Sequence, residues 1–167
     1  KLGSPATALP IADAIKAADI IVLAVYFNTI KELFTTYAKE LEGKIIVDPS
    51  NPIAPDENGG FKKIIEKDQS SGQILSTLLP KNAKLAKALG TLGAATLASA
   101  AFQQPERAVL FYATDDTSIN AAIESLIHDA GFEPVRIGAL DQSINIEVFG
   151  ALHEFGALVK TVTLAEL

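Results

Sequence analysis

Short apolar runs alternate along this chain with segments whose apolar positions recur every three or four residues. The runs IIVLAV (Ile20 to Val25), KIIVD (Lys44 to Asp48), AKLAKAL (Ala83 to Leu89), AVLFYAT (Ala108 to Thr114) and PVRIG (Pro134 to Gly138) predict strands. Pro10 to Ala18 predicts a short helix with Ile11 and Ile15 on one face. Ile30, Leu33, Phe34, Tyr37 and Leu41 make an amphipathic stripe, and Gly43 stands just past its end, where helices favour glycine. Pro49 to Gly60 is rich in turn formers and predicts a long loop. Ser70 and Gln73 make a capping box for a helix carrying Ile74, Leu75, Leu78 and Leu79, which Pro80 ends. Ala94 to Phe102 predicts a short helix of small residues. Asp115 or Asp116 caps another, with Ile119, Ala122, Ile123, Leu126 and Ile127 facing inward and Gly131 beyond its end. A last helix is predicted from Ile144, Val148, Ala151, Leu152, Phe155 and Val159.

Strands alternating with helices of this length imply an α/β fold: a mainly parallel sheet with helices on both faces. Ligands of such sheets bind beyond the carboxyl ends of the strands. That directs attention to Tyr26–Thr29, Asp48–Pro52, Leu89–Thr91 and Thr114–Asp116. The stretch DPSNP (Asp48 to Pro52) leaves its strand with a carboxylate, a hydroxyl and a carboxamide together. The Asn51 amide is suited to pair with an amide ligand such as nicotinamide. It is equally suited to a local Asx turn before Pro52, and spacing leaves both open. GTLG (Gly90 to Gly93) would let backbone approach a ligand, but a plain strand-to-helix turn explains it as well. His128 reads as a partly exposed helix residue. His153 is a candidate hydrogen-bond donor to substrate. No G-x-G-x-x-G, P-loop, G-x-S-x-G or metal-ligand spacing occurs, so no metal site is expected.

Composition narrows the classes further. Hydrophobic residues are 49% and charged residues 20%, as in an ordinary globular domain. A net charge of −6 with scattered Lys and Arg argues against nucleic-acid binding. The longest apolar run, Ile20 to Phe27, is far short of the ~20 residues of a membrane helix. With no cysteine, disulfides and thiolate sites are excluded. A cytoplasmic protein is expected. The chain starts at Lys1, not Met, which suggests a piece of a longer protein.

Five segments in order carry a resemblance to a known family: ADIIVLAV (Ala18 to Val25), LEGKIIVDPSNP (Leu41 to Pro52), LPKNAKLAKALGT (Leu79 to Thr91), VLFYATDD (Val109 to Asp116) and AGFEPVRIGAL (Ala130 to Leu140). Together they resemble the deazaflavin (coenzyme F420)-dependent NADP oxidoreductases. The resemblance implies a Rossmann-like NADP-binding domain over residues 1–140 and a C-terminal helical segment over 141–167. It also implies that the strand, Gly-rich turn and helix opening that family's chain are missing from the front. Ala24, Val25 and Tyr26 would border the cofactor, Ser50, Asn51 and Pro52 would lie near the nicotinamide, and Leu89, Gly90 and Thr91 would complete the wall. The second cofactor implied is coenzyme F420 or a flavin. The chain departs from the family at Tyr26, Gly90 and Ile144, all on the side where a deazaflavin would lie.

With no nucleophile, metal site or acid–base pair, the chemistry expected is hydride transfer by a borrowed cofactor. The function expected is that of an NADP(H)-dependent oxidoreductase acting on a small-molecule hydride acceptor. The alternatives are a non-catalytic nucleotide-binding or sensing module and a dimerisation scaffold. Small residues along the last predicted helix (Gly150, Ala151, Gly156, Ala157) make a homodimer contact there the expectation.

Overall fold

The computed structural model describes residues 6–167. Seven strands and five α-helices follow in the order α1 (Ile11–Ala17), β1 (Ile20–Val22), α2 (Phe27–Thr36), β2 (Ile45–Asp48), β3 (Ile53–Pro55), β4 (Phe61–Lys63), α3 (Ser71–Ser76), β5 (Lys84–Lys87), α4 (Ala94–Ala100), β6 (Val109–Thr114), α5 (Asn120–Asp129) and β7 (Glu133–Gly138). Five strands form one sheet in the order β1-β2-β5-β6-β7, and β3 and β4 form a separate hairpin. The β1–β2, β2–β5 and β6–β7 pairs are parallel. The β5–β6 pair is antiparallel, with Ala86 opposite Thr114 and Lys87 opposite Ala113. The sheet is therefore mainly parallel, as the alternation of elements predicts. No helix among the described residues is long and apolar enough to cross a membrane.

Strand side chains alternate between faces, and the two cores follow this rule. Ile46 and Leu85 face α2 and α3, packing with Phe27, Ile30, Phe34 and Leu75. Val47, Ala86, Leu110 and Tyr112 face the other way, onto Ile119, Ile123 and Ile127 of the α5 region and Ala100 of α4. The first face continues over β6, where Val109, Phe111 and Ala113 are covered by Ile146 and Val162 of the C-terminal segment. Local signals behave as expected. Ser70 Oγ accepts from Gln73 N at 3.2 Å at the start of α3, Asp116 Oδ1 accepts from Ser118 N at 2.9 Å, and Gly131 ends α5 with φ +93°.

Three expectations are corrected. The Pro49–Gly60 stretch is not all loop, because Ile53–Pro55 pairs with Phe61–Lys63 across a turn held by Asp56. Thr114–Asp116 does not reach the ligand crevice. Because β6 runs against β5, its carboxyl end lies at the amino end of β5, where Asp116 pairs with Lys84 at 3.0 Å.

The third correction is the final helix. From Ile144 to Val159 the chain makes a 3-10 turn (Leu140–Asn145) followed by successive tight turns. Leu152 N donates to Asn145 O at 2.7 Å and Ala157 N to Gly150 O at 3.3 Å, closures too wide for a helix. A Cβ on Gly150 would collide with the Ile144 carbonyl, and one on Gly156 with the Gly150 carbonyl. The small residues thus let the segment pack on its own backbone; of the apolar stripe that mimics a helix Leu152 packs toward β6, while Phe155 and Val159 are left exposed. Glu147 fastens this strap to α3: its buried carboxylate accepts from Ser71 N, Ser71 Oγ and Gly72 N at 3.0, 2.8 and 3.1 Å.

Candidate active site

The parallel strands β1, β2 and β5 end on one side of the sheet, and the residues that follow them, with the β3–β4 hairpin and the C-terminal strap, build two adjoining cavities. The larger, about 690 Å³, is lined by Ala24, Val25, Tyr26, Thr29, Pro49, Ser50, Asn51 and Ile53. Five residues expected from the sequence, Ala24, Val25, Tyr26, Ser50 and Asn51, thus share one wall. Thr29 and Pro49 lay in the expected stretches without being singled out. Ile53 carried no polar signal and was missed. The smaller cavity, about 190 Å³, shares Asn51 and Ile53 with the larger and adds Phe61, Leu92, Gly93, Val148, Phe149, His153 and Phe155.

Pro52, Leu89, Gly90 and Thr91 line neither cavity. Pro52 is buried, and its carbonyl accepts from Ile64 N at 2.9 Å to close the hairpin. Leu89, held at φ +66°, packs against the core. Thr91 is buried, and its carbonyl accepts from Glu154 N at 3.0 Å. Gly90 has a structural reason: a Cβ there would run into the Pro49 carbonyl. These four form the floor behind the wall.

Asn51 lines both cavities and does not make the Asx turn; its side chain also bridges parts of the chain. Its Nδ2 donates to Gly90 O at 3.1 Å and its Oδ1 accepts from Val148 N at 2.7 Å. It ties the β2 exit, the β5 exit and the C-terminal strap together. The Asx turn at this corner is made by Asp48, whose Oδ1 accepts from Ser50 N at 2.7 Å. The other carboxylate oxygen of Asp48 pairs with Lys87 Nζ at 2.8 Å, and Lys87 also donates to Ser50 O. Both side chains are buried, at 0% and 2% exposure. Lys87 gave no signal of this pairing in the sequence.

His153 is buried in the strap, not carried on a helix. Its Nε2 meets Gly90 O at 3.0 Å and its Nδ1 accepts from Phe155 N at 3.0 Å. A carbonyl only accepts and an amide N–H only donates, so the proton sits on Nε2. Burial pushes its pKa below the ordinary value, partly offset by the Gly90 hydrogen bond. His128 is exposed on α5, as expected. The polar groups left unpaired on this side are few. Ser50 Oγ and Thr91 Oγ1 are buried without a protein partner, and of these two residues only Ser50 lines a cavity.

A mainly parallel sheet with helices on both faces and a crevice beyond its parallel strand ends is a Rossmann-like α/β fold. Residues 1–52 match the family described as NADP oxidoreductase, coenzyme F420-dependent. A hypothetical protein, SMa0349, from Sinorhizobium meliloti is 30% identical, with a TM-score of 0.75 over 90% of this chain and 69% of its own. This chain belongs to the coenzyme F420-dependent NADP oxidoreductase family, a family of NAD(P)-dependent oxidoreductases. The same fold occurs in a protein from Arthrobacter sp. FB24 described as an F420-dependent NADP-reductase, at 23% identity and TM-score 0.68 over 79% of this chain. It occurs again in a pyrroline-5-carboxylate reductase from Coxiella burnetii, at 14% identity and TM-score 0.53 over 89% of this chain. The chain spans 60% of the Arthrobacter protein and 46% of the Coxiella one. No curated protein matches it.

Proposed function

We propose that this chain forms the nicotinamide-side wall of an NADP(H)-dependent oxidoreductase that passes hydride between the nicotinamide and a small-molecule acceptor. The observation that carries the reading is Ser50. Its hydroxyl is buried and unpartnered, and the residue lies on the wall of the larger cavity, at the carboxyl end of β2. An unpaired buried hydroxyl costs about 1–3 kcal/mol, and a ligand amide or ribose hydroxyl in that cavity would relieve the cost once the side chain turns toward it. Helix α2 supports the same placement. It begins at Tyr26 with no side chain capping its first turn, and Thr29 of that turn lines the cavity. The positive end of a helix favours an electron-rich group there. Tyr26, 84% exposed, offers a ring for stacking at the mouth.

When bound, the nucleotide supplies the hydride. The chain contributes position: Asn51 and Ile53 belong to both cavities, so ligands in the two meet across them. Asn51 holds its place through Gly90 and Val148, while Phe61, Leu92 and Phe155 keep the smaller side apolar. Fixing two reactants in this way is the main source of rate in hydride transfer without covalent catalysis. The smaller cavity does not fit a whole deazaflavin. Its 190 Å³ lies below the range of about 300 to 1,000 Å³ usual for drug-sized ligands.

Calorimetric titration of the full-length protein with NADPH tests the reading. Ser50→Ala should weaken NADPH by about fivefold to tenfold, the worth of one hydrogen bond near 1 kcal/mol, with the melting temperature held or raised. Unchanged affinity in that variant would remove the reading's main support.

A further inference from the structure

We infer that the smaller cavity selects a compact, planar cation, and that the hydride acceptor it admits is a cyclic iminium. The first half stands on the cavity alone; the second rests on the nicotinamide occupying the larger cavity.

Three phenylalanine rings converge on this small space. Phe61 comes from β4, and Phe149 and Phe155 from the strap; they are 60%, 53% and 60% exposed. Aromatic rings left open to water around a concavity are a recognition surface for a flat ligand. Their faces carry partial negative charge and attract a delocalised cation.

The charges around the cavity point the same way. No lysine or arginine lines it. Behind the lining residue Gly93 stands the carboxylate of Glu154, which accepts from Gly93 N at 2.6 Å and from Thr96 Oγ1. A Cβ on Gly93 would lie 2.9 Å from Phe155 Cζ and 3.3 Å from Glu154 Oε2, so ring and carboxylate stand side by side. Lys87, the buried ammonium behind the wall, is already neutralised by Asp48. An anionic ligand would find no counter-charge among the lining residues, whereas a cation finds the three rings, with the Glu154 carboxylate one residue behind them.

The supply of protons separates the classes of acceptor. A ketone or aldehyde needs a proton delivered to its oxygen as hydride reaches its carbon. The polar side chains on this wall are Asn51, which is no acid, and His153. The single N–H of His153 is given to Gly90 O, and its other ring nitrogen accepts from Phe155 N. Burial also keeps this ring neutral. An iminium needs no proton. Hydride forms the new C–H bond, the C=N π pair becomes the nitrogen lone pair, and the positive charge is cancelled. The dihydronicotinamide C–H bond breaks, and the reduced nucleotide is oxidised to its pyridinium form. The volume of 190 Å³ limits the acceptor to one or two fused rings.

The test compares three probes of similar shape on the full-length protein without nucleotide, by calorimetry. They are N-methyl-dihydroisoquinolinium (a permanent iminium), tetralone (neutral) and naphthoate (anionic). The iminium should bind roughly tenfold or more tighter than tetralone, and naphthoate should show no saturable binding. Glu154→Gln should narrow the cation preference, and Phe155→Leu should weaken the iminium several-fold, in variants that keep the wild-type circular dichroism spectrum. Equal affinity for iminium and tetralone in the wild-type protein, or tighter binding of naphthoate, overturns the cation site. With NADPH added, the iminium should be reduced with matching oxidation of the nucleotide, and tetralone should not. Cation selectivity without nucleotide oxidation overturns the iminium half and the placement of the nicotinamide, leaving the cation site standing. Reduction of tetralone as fast as the iminium overturns the choice of acceptor while upholding the hydride reading.

Discussion

Asn51 Nδ2 and His153 Nε2 converge on one acceptor, the carbonyl oxygen of Gly90, at 3.1 and 3.0 Å. Three segments distant in sequence are held at that atom, and it lies directly behind the wall between the two cavities. Whether the imidazole stays neutral therefore matters to the wall, since protonating Nδ1 would replace the hydrogen bond from Phe155 N with a clash of donors.

This gives a pH dependence with a definite sign. The unfolded imidazole takes up its proton near its ordinary value of 6.5, and the folded one only below that. The stability contributed by a neutral His153 is complete above 6.5. It is lost as pH falls from there through the lower folded value. Urea unfolding midpoints should drop as the pH falls below 6.5, and His153→Gln should flatten that drop. An equal drop in the variant would show that other groups cause it.

Asn51→Ala removes the donor to Gly90 and leaves Val148 N, 2.7 Å from Oδ1, without its partner. The expected loss is about 1–3 kcal/mol of stability, read from denaturant midpoints, with less effect on NADPH affinity than Ser50→Ala has. A variant of normal stability that no longer binds NADPH would return Asn51 to a direct contact with the nicotinamide.

The hydrogen bonds of Asn51 to Gly90 and Val148 mark where the sequence stops being legible. Periodicity locates the strands and most helices because Ile46 and Val47 must face opposite cores, and a two-residue period encodes this directly. The strand-end rule and the family resemblance find Ala24, Val25, Tyr26, Ser50 and Asn51 for the same reason: parallel strands bring their carboxyl ends together. What the pattern does not encode is strand direction. The reversal at β6 moves Asp115 and Asp116 to the far end of the sheet. Nor does it encode a strap. Ile146 and Val162 are spaced to cover β6, and between them Gly150 and Gly156 permit turns that imitate a helical period. Phe61 and Phe155 build the smaller cavity only once hairpin and strap are folded, and no local signal pairs them.

Lys87 and Asp48 form a buried ion pair, 2.8 Å apart, beneath Ser50. Breaking such a pair from one side leaves a charge stranded in the interior. Lys87→Met should therefore cost about 3–5 kcal/mol, and the double variant with Asp48→Asn should recover a large part of it. Denaturant unfolding of the single and double variants measures the coupling. A cost for Lys87→Met below about 1 kcal/mol, the level of an exposed pair, would mean that the pair is not sealed as described.

The last expectation is a homodimer, on different grounds from those the sequence offers. A helix with a small-residue face would have let a second backbone approach, but the neighbours of Gly150 and Gly156 belong to this same chain. The reason for pairing that remains is exposed apolar surface near the carboxyl terminus: Val159, Leu164 and Leu167 are 75%, 54% and 60% exposed. Leu164 lies in a short 3-10 turn closed by a capping box of Thr163 with Glu166. A preformed apolar knob of this kind loses little entropy on docking, and self-association by a twofold axis is the commonest way to cover it. Light scattering of the full-length protein at low micromolar concentration should give the mass of a dimer. Leu164→Asp together with Val159→Asp should lower that mass to a monomer's without unfolding the chain, since neither side chain belongs to the buried core. A wild-type monomer, or a dimer indifferent to both charges, would defeat this interface.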